Sequence, residues 1–308
     1  MKQFIAKVGR FIFFFVVLCF IVVGINYVLL RSSNIDFAEN RNILVLGDSN
    51  AQCAINDSIF STATNLALNA DSYFYSYLKI KRIVETNQPV DTLLLSFAPH
   101  NIFKNGWIED PKLVRSRFRN YFGLMNAEDL RFIVGNNPRA VLNSAGQIIR
   151  HFPASTYQIL TGQNIFDIGS YLPITRNTMN EDLLRLKKGQ SLTFFELPKD
   201  FTLSTKEIHY LEAIMELCKN ENIKLYLINL PKREELLSLD KYGVSEFEEI
   251  YRTRYEDVDF IDFSRFPLPD GSYADPVHLN LKGAALFSSY LRQNNFSTHM
   301  QNYAFESD

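Results

Sequence analysis

A chain of 308 residues that is 46% hydrophobic and 21% charged carries enough apolar mass for a sizeable core, which excludes a largely disordered protein. The formal net charge of -2 and a sequence pI of about 6.2 leave no basic surplus to neutralise a phosphate backbone, so nucleic acid is not an expected partner. Aromatic residues reach 14%, a content that suits a well-packed core or a surface that stacks on sugars.

Residues 11–30 (FIFFFVVLCFIVVGINYVLL) contain no charge. A helix of that length rises about 30 Å, enough for the hydrocarbon layer of a membrane. The run continues through Ile25, Asn26, Tyr27, Val28, Leu29 and Leu30 to Arg31 without a small-x-small cleavage site, so it reads as an uncleaved transmembrane anchor. Bulky Leu18 before Cys19 argues against lipid attachment there. Lys2, Lys7 and Arg10 precede the run, and the positive-inside rule leaves the amino terminus in the cytoplasm. Residues 1–31 are therefore expected to be a stub and single-pass anchor in the inner membrane, and residues 32–308 a domain in the periplasm or outside the cell. Cys53 and Cys218 are the candidates for a disulfide there, with two separate buried thiols as the alternative.

A short polar spacer, residues 31–40, would hold the domain near the bilayer. The apolar run Asn42–Leu46 then reads as a strand that breaks at Gly47, with Gln52–Ile59 helical after it. Asn65–Leu68 is a second short apolar run, Tyr73–Thr86 has helical spacing, and Asp91–Phe97 (DTLLLSF) is the clearest central strand. From about 103 to 200 the alternation fails, with short helical patterns at Ala127–Ile133 and Arg139–Ile149, and this stretch reads as an insertion bordering the site. Alternation resumes with a helix over Thr205–Asn220, a strand over Lys224–Leu230, a helical segment over Lys232–Tyr255, a strand over Val258–Phe263 and a final helix over Asn280–Gln293. Strands alternating with helices imply a parallel sheet covered on both faces.

Two constellations carry chemistry. Gly47-Asp48-Ser49-Asn50 follows a buried strand and precedes a helix, where open α/β sheets place their ligands. Asp275-Pro276-Val277-His278 stands just before the last helix, and an Asp and a His three apart on a loop can meet while the imidazole's other nitrogen faces a serine. Taken singly, the first also describes a helix cap and the second a surface turn.

Together the early strand-Gly-Asp-Ser-helix and the late Asp-x-x-His-helix resemble the first and last blocks of the SGNH/GDSL hydrolase family. That resemblance covers about residues 40–102 and 205–293. It implies a flavodoxin-like three-layer α/β/α sandwich with a parallel sheet, and a triad of Ser49, His278 and Asp275. An oxyanion hole built from Ser49 and Asn101 is implied as well. The family's Gly after the second strand is absent from Leu68-Asn69-Ala70-Asp71-Ser72, so Asn69 or the amide of Ala70 would replace it. Among membrane-anchored relatives, similar architectures add or remove O-acyl groups on cell-envelope polysaccharide, often beside a multispanning acyltransferase.

The expected activity is thus an acyl-serine esterase or O-acyltransferase without a cofactor, acting on an acylated carbohydrate or another ester. The rival expectation is a catalytically silent envelope-assembly or polysaccharide-binding factor, supported by the missing Gly. His100 could bind substrate beside Asn101 or be structural, and Trp107 could be a sugar platform or part of the packing. His151, His209 and His299 have no partners at metal-ligand spacing, so no metal site is expected.

Overall fold

The computed structural model describes residues 1–294 except 34, 36, 38–39, 104–106, 162–167, 194, 196, 198–200 and 240–241. By internal packing the chain falls into two compact units, Met1–Asp36 with Ile108–Asp167, and Phe37–Trp107 with Ile168–Asp308.

In the first unit, α1 (Lys2–Ser32) is a 31-residue helix with a mean hydropathy of 2.8 over its most apolar window, long and apolar enough to cross a membrane. α7 (Pro138–Leu160) and a 3-10 turn at Phe122–Leu124 pack with it, and α5 (Pro111–Tyr121) and α6 (Ala127–Asn136) pack on α7. Asn126 caps α6 in a reciprocal capping box with Asp129. Tyr27 donates to the Met125 carbonyl at 3.0 Å, and Gly123 lies so close to Leu30 that a Cβ there would sit 2.4 Å from the leucine Cβ.

The second unit is built on a five-stranded sheet in the order β2-β1-β3-β4-β5, every pair parallel. The strands are β1 (Ile43–Leu46), β2 (Ala63–Asn65), β3 (Thr92–Ser96), β4 (Lys224–Asn229) and β5 (Phe260–Asp262). β1 is buried along its whole length, as continuous apolar strands must be when helices cover both faces. Ile43, Val45, Leu94, Ile228 and Ile261 pack on one face with Ala51 and Ala54 of α2 (Ser49–Ala54) and Phe287 and Leu291 of α12 (Leu281–Gln293). Strand alternation turns Leu44, Leu46, Leu93 and Leu95, all fully buried, to the other face. There α3 (Tyr73–Glu85) and α9 (Thr205–Asn220) pack on each other, and α9 on β4. This is a three-layer, flavodoxin-like α/β/α arrangement whose strand order reverses between β1 and β3, and ligands of such sheets bind at the carboxyl ends of the strands beside that reversal.

Several elements of the second unit differ from the sequence expectation. The helix expected over Gln52–Ile59 is α2, which starts at Ser49 because Asp48 caps it. β2 ends at Asn65, whose side chain turns back to donate to the Ala51 and Ile55 carbonyls and to accept from the Ala67 amide. The expected long helix over Lys232–Tyr255 is two pieces, α10 (Glu234–Leu237) and α11 (Val244–Arg254), with Gly243 in a left-handed conformation before the second. A short α4 (Pro99–Ile102) and α8 (Met179–Lys187) complete the helices named here.

Candidate active site

β1 leaves the sheet through Gly47. Its φ of +132° is a conformation that side chains disfavour, and a Cβ there would lie 2.3 Å from that of Ser96 on β3. Only glycine lets the turn pass the neighbouring strand so closely. The turn delivers Asp48 into the interior and Ser49 to the first position of α2, where its side chain stays partly exposed.

Asp48 is fully buried and saturated. One carboxylate oxygen accepts from the Asn50 amide at 3.0 Å and the Ser96 hydroxyl at 3.2 Å; the other meets His100 Nε2 and accepts from Asn101 Nδ2 at 3.1 Å. Burial alone would raise this carboxyl, but His100 and Asn101 beside it, with Lys232 further off, hold it well below the usual carboxylate range. It is the ionised keystone of the turn that carries Ser49.

The opposite wall comes from the loop before α12. Ala274 N–H donates to the His278 carbonyl at 2.9 Å and Tyr273 bridges Leu279, which closes residues 273–279 into a tight hairpin. Gly283 lets α12 approach its base, since a Cβ there would meet the Ser272 carbonyl at 2.1 Å. Inside the hairpin, Asp275 Oδ1 accepts from the backbone amides of Val277 and His278 at 2.9 Å each, and the carboxylate faces His278 Nδ1 at 2.9 and 3.0 Å. Burial works against the Asp275 charge, but the imidazole and the two amides outweigh it and keep the carboxyl below its ordinary value. Arg176 adds a positive charge 3.8 Å away.

The far nitrogen of that imidazole reaches the serine: His278 Nε2 lies 2.8 Å from Ser49 Oγ. Serine, histidine and aspartate therefore form one continuous hydrogen-bonded line at the carboxyl ends of the strands. Such a line can lower the cost of removing the hydroxyl proton and stabilise the imidazolium that results.

The other expected site residues are placed differently. Asn101 is buried and commits an amide N–H to Asp48, while its Oδ1 has no hydrogen-bond partner among the described residues. The Asn69 amide donates to Gln52 Oε1 at 2.9 Å and so is turned to α2. Ala70 takes a left-handed φ of 52°, the conformation that glycine accepts most readily. His100 is buried among Phe195, Trp107 and Tyr242, with ring centroids 4.9, 5.9 and 6.4 Å away, and its Nε2 is turned to Asp48. Trp107 is half-buried against it.

Cys53 and Cys218 are separate buried thiols, each pushed up to about 12 by burial. Among the described residues no group of three or more His, Cys, Asp or Glu could hold a metal ion; His299 lies outside them. Lys232 and Arg176 carried no sequence signal. Lys232 is fully buried, donates to Asn229 Oδ1 at 2.6 Å and to the Leu230 carbonyl at 3.0 Å, and is pushed down to about 8 chiefly by burial. No spacing rule picks out a lysine after a strand or an arginine in an irregular segment.

No curated protein matches the chain. A family model that carries no description matches residues 180–300, less than half of the 308. Three solved structures resemble it distantly. One, provisionally described as a platelet activating factor from Streptococcus pneumonia, is 12% identical with a TM-score of 0.38, covering 94% of this chain and 98% of its own. A provisionally assigned acylhydrolase from Bacteroides fragilis is 10% identical with a TM-score of 0.37, covering 86% and 91%. A GDSL-like lipase from Bacteroides thetaiotaomicron is 6% identical with a TM-score of 0.38, covering 88% and 96%.

Proposed function

We propose that the second unit is an SGNH-like serine ester hydrolase or O-acyltransferase. The observation that carries this reading is the unbroken line from Ser49 Oγ through His278 to Asp275. His278 Nε2 takes the Ser49 proton as the oxygen attacks the ester carbonyl. The tetrahedral intermediate expels the alcohol, which leaves with the proton from the imidazolium, and an acyl-serine remains. Water or a sugar hydroxyl then gives its proton to His278, attacks the acyl carbon and restores Ser49.

The donors we assign to the developing oxyanion are the backbone amides of Ser49 and Ala70, with Asn101 as the side-chain donor through its second N–H. The left-handed backbone at Ala70 supports its standing in for the glycine the family places there. One observation favours the silent-factor reading instead: Asn101 is already bonded to Asp48, which reduces its freedom to reach a substrate.

For substrate we propose an O-acyl group on a cell-envelope polysaccharide. An open groove of about 510 Å³ beside the Asp275 loop, lined by Arg233, Phe266, Tyr273 and Asp270, offers aromatic and charged groups to an extended polar chain. The Arg233 amide donates to the Pro276 carbonyl at 2.9 Å, which ties this groove to the loop that carries the acid and base. A multispanning acyltransferase in the same membrane is the proposed partner, and α1, with residues 1–31 as stub and anchor, is proposed to hold the protein in the inner membrane with residues 32–308 on the periplasmic side. The test is acetate release from an acetylated polysaccharide and from a small acetyl ester by the full chain and by Ser49→Ala. Acetate release that depends on Ser49 supports the esterase, an acetyl group that appears on an added sugar acceptor without free acetate supports the transferase, and equal turnover by both proteins removes Ser49 from the chemistry.

A further inference from the structure

The helix α7 has two apolar faces. At 3.6 residues per turn, Ala140, Ser144 and Ile148 share one side, and all three are buried in the packing of the first unit. Leu142, Gly146, Ile149 and Tyr157 fall within an arc of about 80° on the opposite side. Leu142 is 74% exposed and Tyr157 64%. Arg139 and Arg150, both exposed, run along one edge of this stripe. Packing within the unit explains the first face and leaves the second without a partner among the described residues.

The way α1 is held says what covers it. Residues 11–30 have the roughly 30 Å rise that the hydrocarbon layer needs, but one side of the last part of the run is packed on protein, while Val28 on the other side is exposed. Asn26 and Leu30 are buried, Tyr27 stacks on Phe122 with ring centroids 5.2 Å apart, and Arg31 donates to the Leu124 carbonyl at 3.3 Å. The charge-free stretch before that clamp, residues 11–25, rises only about 22 Å. Span and layer match without thinning of the bilayer when the clamped turns, with the helices packed on them, reach the hydrocarbon boundary.

We infer that the first unit is a membrane-seated collar: the Leu142–Tyr157 face of α7 lies in the headgroup and upper acyl layer of the bilayer crossed by α1, with Arg139 and Arg150 reaching its phosphates. An apolar stripe bordered by arginines is the pattern of interfacial helices. This rests on the reading of α1 as an anchor.

The test uses the full chain in phosphatidylcholine–phosphatidylglycerol vesicles, in a Cys19→Ala background that leaves the two buried thiols unlabelled. A polarity-sensitive fluorophore is placed on Leu142→Cys, on Tyr157→Cys and, as an exposed polar control on α5, on Ser116→Cys. Expected are a blue shift at 142 and 157, quenching by lipids spin-labelled near the headgroup, and loss of iodide quenching, while 116 stays aqueous. Vesicle-bound protein with all three probes aqueous would overturn the collar and leave the anchor standing. A blue shift at 142 without quenching by the labelled lipids would also overturn it, since protein would then cover the face. Failure of the chain to float with vesicles would remove both readings.

Discussion

Ser49 and His278, 229 residues apart in the chain, meet at 2.8 Å through the hydroxyl oxygen and Nε2. Each is brought there by its own tight device: a glycine turn that brushes Ser96, and a hairpin closed around Asp275. If this contact is the proton path, Ser49→Ala and His278→Ala should each abolish turnover of acetyl esters and leave the far-ultraviolet dichroism unchanged.

Asp275→Asn separates orientation from charge. An amide oxygen can still accept from the Val277 and His278 amides, so the melting temperature should fall little. An amide can fix the wrong imidazole tautomer and cannot stabilise the imidazolium, so kcat should drop by about four powers of ten. Steady-state kinetics beside a thermal melt checks both halves.

Asn101→Ala should act on rate and stability together, because the side chain donates to buried Asp48. A loss of about two to three powers of ten in kcat is expected if Asn101 also serves the oxyanion. A fall in urea midpoint with kcat unchanged would assign it to holding the Asp48 turn alone.

Lys232 gives a pH signature in the folding equilibrium. Its ammonium loses its proton near pH 8 in the folded protein and near 10.5 when unfolded. The folded state thus binds fewer protons between those values, and stability should rise with pH across about 8 to 10.5. Lys232→Met should remove that rise. It should also lower stability at neutral pH, since Asn229 Oδ1 and the Leu230 carbonyl lose their buried donor. Urea titrations at several pH values read both effects.

Gly47→Ala tests the turn beneath the nucleophile. The new methyl would meet the Ser96 Cβ at 2.3 Å on a backbone held at φ +132°, so overpacking and strain add. We expect a loss of several kcal/mol, about 1–3 from each cause, read as a fall in denaturation midpoint.

Much of the second unit was legible because its signals are local. ILVL and TLLLS are buried on both faces and read as central strands, and Ser204 and Asn280 cap the helices whose spacing is plainest in the sequence. Gly47 and the Asp275–His278 spacing pointed to the residues that meet. What stayed hidden depends on partners distant in sequence. The Asp48 cluster needs His100 and Asn101, and Arg176 approaches Asp275 from an irregular segment. Nothing local could show that Asn69 would spend its amide on Gln52. The first unit was obscured differently, since it is assembled from two separated stretches and α7 runs to Leu160, well beyond the pattern visible over Arg139–Ile149.

The central claim is that the Ser49 hydroxyl is a nucleophile raised by His278. A fluorophosphonate probe offered to the full chain, followed by peptide mapping, tests it without knowledge of the substrate. A covalent adduct on Ser49, lost in His278→Ala and sharply slowed in Asp275→Asn, is the predicted result. An unmodified Ser49 in folded protein, or an adduct that forms equally fast without His278, would contradict it and leave Ser49 as the first residue of a helix.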